Sequence, residues 1–282
     1  MLRRLILASA TFAVALSVWG FFLEPGDLRN EDYDVVVPSW PMACDGLRVA
    51  VLADLHVGSP RNGLSKLDRI ITLTQRARPD LILLAGDYVI HGVAGGQFTP
   101  PEDIARALRG LSAPLGVWAV LGNHDWWFDG PRVRASLESV GIRFLEDAAA
   151  KVGSSPCSFW LVGISDFWEG RHDVHAALAQ ITGSAPVVAF THNPDVFPEI
   201  PAQVDLTVAG HTHGGQVYLP LIGRPIVPSR YGQRFAIGHI VEDGRHLFVS
   251  PGLGTSILPV RFLVPPEVSV LTIRASAAAG PG

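Results

Sequence analysis

Five short polar clusters each follow an apolar run in this chain: Asp54-Leu55-His56, Gly86-Asp87-Tyr88, Gly122-Asn123-His124-Asp125, Thr191-His192-Asn193 and Gly210-His211-Thr212-His213. The candidate ligands among them are His56, His192, His211, His213, Asp54, Asp87 and Asn123, with the His124-Asp125 pair beside them. That is enough imidazole nitrogen and carboxyl or amide oxygen for two divalent metal ions, with a general acid to spare. Mixed nitrogen and oxygen ligation suits manganese, iron, zinc or nickel better than magnesium or calcium. Asp87 can bridge two ions through its two oxygens. Asp54 and His56, two residues apart, share a face in extended geometry, and so do His211 and His213. Any one cluster is weak, because Asp-x-His arises by chance and a lone histidine is more often structural. Five in a consistent order are not a coincidence of composition.

The elements that must position these groups can be read around them. The apolar runs 47–52, 81–84, 117–121, 187–190 and 206–208 predict buried strands of a mostly parallel sheet. Side chains beyond the carboxyl ends of such strands converge in one crevice, where open α/β sheets place ligands. Helices are predicted over 64–78, 101–111, 131–140 and 173–181, the first from its apolar spacing and the second from Pro101 and the acids that follow it. Further strands are expected at 34–38, 151–152, 159–164, 235–241, 246–250 and 268–273, with Asp243-Gly244 as a hairpin turn. A βαβ half is thus followed by a strand-rich half, and the polar clusters come from both.

At 282 residues, 48% hydrophobic and 17% charged, the chain can build a large core and is not disordered. A net charge of −4 without a basic stripe argues against nucleic acid as the main partner. Residues 5–23 carry no charge and match the ~20 apolar residues needed to cross a bilayer. Bulky Trp19, Phe21 and Phe22 stand where a cleavage site would need small residues, which favours an uncleaved anchor over a removed signal. Arg3 and Arg4 before the span, against Glu24, Asp27, Glu31 and Asp32 after it, place the amino terminus in the cytoplasm and the bulk outside. The divisions expected are a membrane anchor or uncleaved signal at 1–24, a tether and edge strand at 25–45, the catalytic domain at 46–274 and a disordered tail at 275–282.

The ordered motifs Asp-x-His, Gly-Asp, Gly-Asn-His-Asp, His and Gly-His-x-His resemble those of the calcineurin-like metallophosphoesterase superfamily, over the whole span from Leu47 to Ile273. The chain is most similar to small membrane-associated bacterial members, through Gly210 to Gln216 (Gly-His-Thr-His-Gly-Gly-Gln), Gly252-Leu253-Gly254 and Pro266-Glu267. The resemblance implies an α/β fold, a four-layer α/β/β/α sandwich of two mixed sheets, here preceded by a transmembrane helix. It implies one metal held by Asp54, His56, Asp87 and His213, and a second by Asp87, Asn123, His192 and His211. His124 would protonate the leaving oxygen and Asp125 would orient it. Hydroxide bridging the two ions would attack phosphorus in line, while the cations neutralise charge on the phosphoryl group.

The activity so implied is hydrolysis of a phosphodiester or pyrophosphate, possible substrates including a lipid-linked one, by an enzyme in the bacterial cytoplasmic membrane with its domain on the extracytoplasmic side. The alternatives are a UDP-sugar-lipid pyrophosphatase on the cytoplasmic face, or a scaffold of the same fold without catalysis. Retention of His124 and of every metal position counts against the scaffold.

Other residues carry weaker readings. Cys44 and Cys157 read as buried reduced thiols, with a single disulfide as the alternative in an oxidising compartment. Trp126-Trp127-Phe128 read as core packing or, since three consecutive aromatics cannot all face one core, as placing one ring in the cleft or against lipid. Residues 217–234 read as a structural loop or as a lip setting Arg224, Arg230 and Arg234 on anionic headgroups. Asp166 reads as a turn or cap residue, or as a support for the site. Arg261 reads as a phosphate contact or a surface salt bridge. His91, His172, His175, His239 and His246 match no motif and are treated as surface or packing residues.

Overall fold

The structure, a computed structural model, describes residues 1–276. In chain order the elements are α1 (Leu2–Val18), β1 (Arg29–Val37), β2 (Leu47–Leu52), α2 (Leu64–Arg76), β3 (Leu81–Ala85), α3 (Pro101–Leu108), β4 (Val117–Val120) and α4 (Asn123–Glu138). They continue with β5 (Arg143–Phe144), β6 (Ala148–Ser154), β7 (Cys157–Ile164), α5 (Val174–Leu178), β8 (Val187–Thr191), β9 (Leu206–Ala209), β10 (Gly238–Glu242), β11 (Arg245–Val249) and β12 (Glu267–Ala275).

Twelve strands form two six-stranded mixed sheets, ordered β1-β12-β2-β3-β4-β5 and β10-β11-β9-β8-β7-β6. β2 shows how sequence builds the layers. Its Val49 and Val51 face the second sheet, packing in a core with Phe159, Leu161, Phe190 and Val208. Its Ala50 and Leu52 point the other way, among residues of α2, α3 and α4 such as Leu67, Ile104 and Leu137. A third core covers the outer face of the second sheet beneath α5, around Val174, Ala177 and Phe197. A strand buried on both faces needs a continuous apolar run, and residues 49–52 supply it once Arg48 at the strand's start is passed. The four-layer sandwich is therefore present.

Several expectations require correction. The thiols of Cys44 and Cys157 are not free; they are joined in a disulfide spanning 113 residues of sequence. It ties the turn before β2 to the start of β7, one end in each half of the sandwich. Of the tether and edge strand expected at 25–45, the strand starts earlier than the expected residue 34, and the residues before it are built into the domain rather than forming a tether. Pro25 is buried, and β1 begins at Arg29 and pairs with β12 in parallel over its whole length. Ala275, expected in the tail, closes β12, and residues 277–282 lie outside the described residues. The helix expected at 131–140 forms the second part of α4, ending at Glu138; Asp129 (φ −173°, ψ 83°) breaks the helical path before Pro131, and an additional helical segment, not expected, opens at Asn123.

The apolar amino-terminal helix does not stop at Val18. A wider π-type turn (Trp19–Leu23) and a 3-10 turn (Glu24–Gly26) carry it onto the domain. The 25 residues of Leu2–Gly26 have a mean hydropathy of 2.0 in their most apolar window, only 6% of which is buried against the protein. Its end is docked firmly. Gly20 O accepts from Arg261 N (2.9 Å), Glu24 Oε1 accepts from Val264 N (2.6 Å), and buried Lys66 Nζ donates to Pro25 O (2.9 Å) and Leu253 O (2.8 Å).

Candidate metal centre

Each ligand candidate sits where a strand of one sheet or the other runs out. Asp54 and His56 follow β2, Asp87 follows β3, Asn123 opens α4 after β4, His192 follows β8, and His211 and His213 follow β9. The extended geometry expected for the paired ligands is not what brings them together. Asp54, His56, Asp87, His211 and His213 all have positive φ, between 37° and 69°. Left-handed backbone at non-glycine residues is costly and gathers at functional sites. Here each strand turns sharply at its end and throws its side chain into the crevice.

The result is one buried cluster. Asp87 Oδ2 lies 3.4 Å from His56 Nε2 and 3.3 Å from His192 Nε2. On one side His213 Nε2 is 3.4 Å from Asp54 Oδ1 and 3.2 Å from His56 Nε2. On the other, His192 Nε2 is 3.1 Å from both Asn123 Oδ1 and His211 Nδ1. Asp54-His56-His213 and Asp87-His192-His211 are each compact enough to hold a cation.

The donor set fits metal ions for a specific reason. His56 Nδ1 faces Val89 O at 3.2 Å and His192 Nδ1 faces Ala85 O at 2.7 Å, so in each ring that nitrogen takes the proton. Both Nε2 atoms are left with bare lone pairs, pointing at carboxylate and amide oxygens that are also acceptors. Crowded acceptors repel one another unless a cation lies among them. His211 Nε2, His213 Nδ1 and Asn123 Nδ2 are buried without a hydrogen-bond partner as well. Burial pushes the His56 imidazole down to about 3 and, with Asp87 nearby, the Asp54 carboxyl up to about 7. Burial opposes ionisation of Asp87 too, yet His192, His124 and His56 hold it well below the usual carboxylate range. His56, His211 and His213 are thus held neutral beside an ionised Asp87, the protonation states that metal ligation needs. At His192 burial is outweighed by Asp87, which draws the imidazole well above its usual range, so ligation there would displace a proton.

Asp125 does not do what was expected of it. Its carboxylate accepts from the backbone N–H groups of Asp87 (2.8 Å), Tyr88 (2.9 Å), Val89 (3.2 Å) and Gly122 (3.0 Å). His124 Nδ1 has no partner. Asp125 therefore fixes the turn that carries Asp87, and His124 is held by its place in the first turn of α4, where His124 N donates to Asp87 Oδ1 at 2.9 Å. Gly122 makes this approach possible, since a Cβ there would sit 2.2 Å from Asp87 Oδ1.

Arg261 is neither a phosphate contact nor a surface ion pair. It is fully buried, and its guanidinium donates to Gly254 O (3.0 and 2.6 Å), Val264 O (2.9 Å), Pro251 O (2.9 Å) and Gly252 O (3.1 Å). The loop it grips lies directly behind the ligands. Leu253 N donates to Ala53 O and Gly254 N to Asp54 O, and a Cβ on Gly252 would meet Asp54 Cβ at 2.8 Å. Burial pushes the Arg261 guanidinium down to about 10, which leaves it charged at neutral pH.

The centre opens into a cleft of about 340 Å³. Asp87, Asn123, His124, His211 and His213 form its floor, and Trp127, Trp168, Ile226 and Ile257 are among its walls. Of the aromatic triplet, Trp127 is the one in the cleft, while Trp126 and Phe128 pack on the helical core. Asp166 accepts from Trp168 N and Glu169 N (both 2.9 Å), a turn role that also sets Trp168 edge-on against His211, ring centroids 4.4 Å apart. His91, expected to be a surface or packing residue, lines the cleft with its ring 5.7 Å from that of Trp127. Trp168 and Ser256, which also line it and belong to no motif, were missed by sequence reasoning, and Gln216, the last residue of the Gly210–Gln216 motif, was given no role there.

Comparison with known proteins agrees with this geometry. The family model described as calcineurin-like phosphoesterase matches residues 47–215. The chain belongs to that family. Among similar proteins is the uncharacterized metallophosphoesterase YkuE of Bacillus subtilis, 28% identical over 258 residues, covering 90% of this chain and 88% of the relative. The phosphodiesterase YaeI of Escherichia coli is 33% identical over 232 residues, 80% of this chain and 82% of the other. The UDP-2,3-diacylglucosamine pyrophosphatase LpxG of Chlamydia trachomatis is 25% identical over 312 residues, 90% and 92% of the two chains. As a calcineurin-like phosphoesterase the chain is a metal-dependent hydrolase of phosphate esters, and its histidine and aspartate clusters are consistent with a dinuclear site.

Proposed function

We propose that this chain is a dinuclear-metal phosphohydrolase that cleaves a phosphodiester or pyrophosphate on a membrane-associated substrate, held by α1 with its domain on the extracytoplasmic side. The observation that carries the metal reading is the ionised Asp87 set between His56 and His192, at 3.4 and 3.3 Å, with further donors on either flank. Asp54, His56, Asp87 and His213 would hold one ion, and Asp87, Asn123, His192 and His211 the other. The pair supplies Lewis acidity, activating water and neutralising the phosphoryl charge when bound.

The chain's own groups do the rest. His56 and His192 are locked in orientation by their Nδ1 contacts to backbone carbonyls. His124 Nε2 faces the cleft, 4.0 Å from Asp87 Oδ2 and 3.4 Å from Ser256 Oγ, where it can hand a proton to a leaving oxygen. Trp127 and Trp168 give the leaving portion apolar walls and limit access of water. The phosphodiester reading is supported by the likeness to YaeI, and the extracytoplasmic reading by the Cys44–Cys157 disulfide, since such bonds persist in oxidising compartments. LpxG keeps pyrophosphate hydrolysis on a lipid-linked nucleotide as the second reading; a cytoplasmic placement of the domain does not suit the disulfide.

The test is turnover of bis-aryl and mono-aryl phosphates by the full chain in detergent with manganese. Chelator and Asp87→Asn should each abolish it. His124→Ala should lose ~10²–10⁴-fold on alkyl esters and far less on aryl esters, whose leaving groups need no proton. Unchanged alkyl-ester turnover in the His124 variant refutes its role, and unchanged turnover in the Asp87 variant refutes the centre.

A further inference from the structure

Most of the exposed large apolar side chains outside α1 are scattered, but one group is not. Leu221, Ile222, Ile226, Ile257, Leu258 and Leu263 are 106, 69, 78, 70, 52 and 48% exposed. They belong to one continuous ledge. Residue 217 bridges Phe262 in parallel, with Tyr218 N donating to Phe262 O (2.8 Å) and Phe262 N to Gln216 O (2.9 Å). A tight hairpin closed by Leu219 N to Gly223 O (2.8 Å) carries Leu221 and Ile222 at its tip. The Gln216 amide donates to Ser256 O (3.2 Å) and Leu258 O (3.3 Å), which adds the third segment.

The same ledge receives the end of the amino-terminal helix. Gly20 O is bonded to Arg261 N, one residue from Phe262, and a Cβ on Gly20 would touch Val260 at 3.4 Å. Phe22 and Leu23, 56 and 53% exposed, stand at the level of that contact. A segment apolar and long enough to cross a bilayer is therefore clamped, without a flexible linker, to this apolar shelf of the domain. The ledge also forms part of the cleft rim, because Ile226 and Ile257 line the space above His124 and His213.

We infer that this ledge is seated in the lipid bilayer that α1 crosses, so that the metal centre opens onto the membrane surface and receives a phosphoester carried by a lipid. This rests on the reading of α1 as an anchor and of the centre as a phosphohydrolase, and it adds the face through which substrate enters. Lipid suits the ledge better than a protein partner, since the apolar side chains run on from a helix whose own surface is apolar and uncovered. Nor is the contact electrostatic. Arg224 donates to Gly214 O and lies over the Tyr218 ring (5.1 Å), Arg230 lies over Phe167 (4.5 Å), and Arg234 pairs with Glu242. The arginines of this stretch, which sequence suggested for headgroups, are engaged within the protein, so docking should not depend on anionic lipid or salt.

The experiment uses the full chain in nanodiscs of zwitterionic phosphatidylcholine, with a nitroxide on Leu221→Cys and, as a control, on Val241→Cys, exposed on β10. The native cysteines are joined to each other and do not take the label. The collision rate with oxygen relative to a water-soluble nickel chelate should be several-fold higher at position 221 than at 241. Equal ratios overturn the inference, as does dipolar broadening between labels at 221, which would mean that a second copy covers the ledge. In parallel, Leu221→Asp combined with Ile222→Asp should lose at least ten-fold in kcat/KM on a phosphodiester lipid in vesicles and nothing on a soluble bis-aryl phosphate. Equal effects on the two substrates also overturn it. A dry label at 221 in a chain that hydrolyses neither substrate would instead refute the proposed reaction and leave the docking standing.

Discussion

Arg261→Met would show how far the metal centre depends on the loop behind it. Methionine keeps most of the stem's volume, so the cavity left is small, and the loss falls on hydrogen bonding. The wild-type guanidinium makes five contacts to four backbone carbonyls at a position with no solvent exposure. Charge-assisted bonds are worth about 1.5–3 kcal/mol each, but contacts sharing one group do not add. The variant leaves neutral buried carbonyls without a donor, at about 1–3 kcal/mol for each that finds no other partner, so a total loss of a few kcal/mol is expected. Against a domain stability of ~5–15 kcal/mol, the variant should stay folded at room temperature with a much lower urea midpoint. Arg261→Lys, which keeps the charge but cannot fan across four carbonyls, should fall between the two. Because the loop braces Asp54 and His56, manganese affinity of the folded variant should drop about 10–100-fold, the usual effect of losing support behind a ligand. Urea unfolding by tryptophan fluorescence and metal titration in detergent read the two effects separately. A loss under ~1 kcal/mol would refute the bracing argument, and wild-type metal affinity would refute its link to the ligands.

Two other perturbations test the frame. Replacing Cys44 and Cys157 by serine frees a separation of 113 residues, for which chain entropy predicts ~4.7 kcal/mol and measured values of about 2–4 are usual; denaturation midpoints that do not move, with or without thiol, would show that the bond does not form. Glu146 accepts from Leu121 N at 2.8 Å, and burial pushes its carboxyl up to about 7 from 4.5. Its folded pKa lies above its unfolded one, so the stability it contributes is full below about 4.5 and lost as pH rises through about 7. Glu146→Gln should therefore gain ~1–2 kcal/mol over wild type at pH 8 and nothing at pH 4.5, allowing for the partial exposure of the site. A gain confined to acid pH would reverse the sign and defeat the argument.

The meeting of the candidate ligands in one cluster was legible because open sheets gather the ends of their strands, and each polar group stands directly after an apolar run. The expected extended pairing of Asp54 with His56 failed because left-handed backbone at aspartate and histidine is only a several-fold tendency, too weak to override the extended default when reading composition. The disulfide was not chosen between the open readings, since Cys44 and Cys157 meet only once two sheets are stacked. Arg261 was misread for a related reason: its partners are carbonyl oxygens, which every residue has and no sequence advertises. Residues 25–34 look like a linker because they are polar and half-exposed, as an outermost strand is. Only the register with β12, fixed 238 residues away (Arg29 opposite Glu267), reveals them as part of a sheet.

The embedding of Glu24 and Pro25 has a consequence for shedding. Scission after Gly26 would not merely slip a leash. It would strip Lys66 Nζ of one of its two carbonyl partners and uncap the Val264 amide, and both residues touch the support behind the metal cluster, Lys66 through Leu253 O and Val264 through Arg261. A liberated form that kept its catalytic architecture would have to be cut upstream of Trp19, which, on the proposal that α1 is a membrane anchor, lies inside hydrocarbon, where ordinary water-borne proteases do not work.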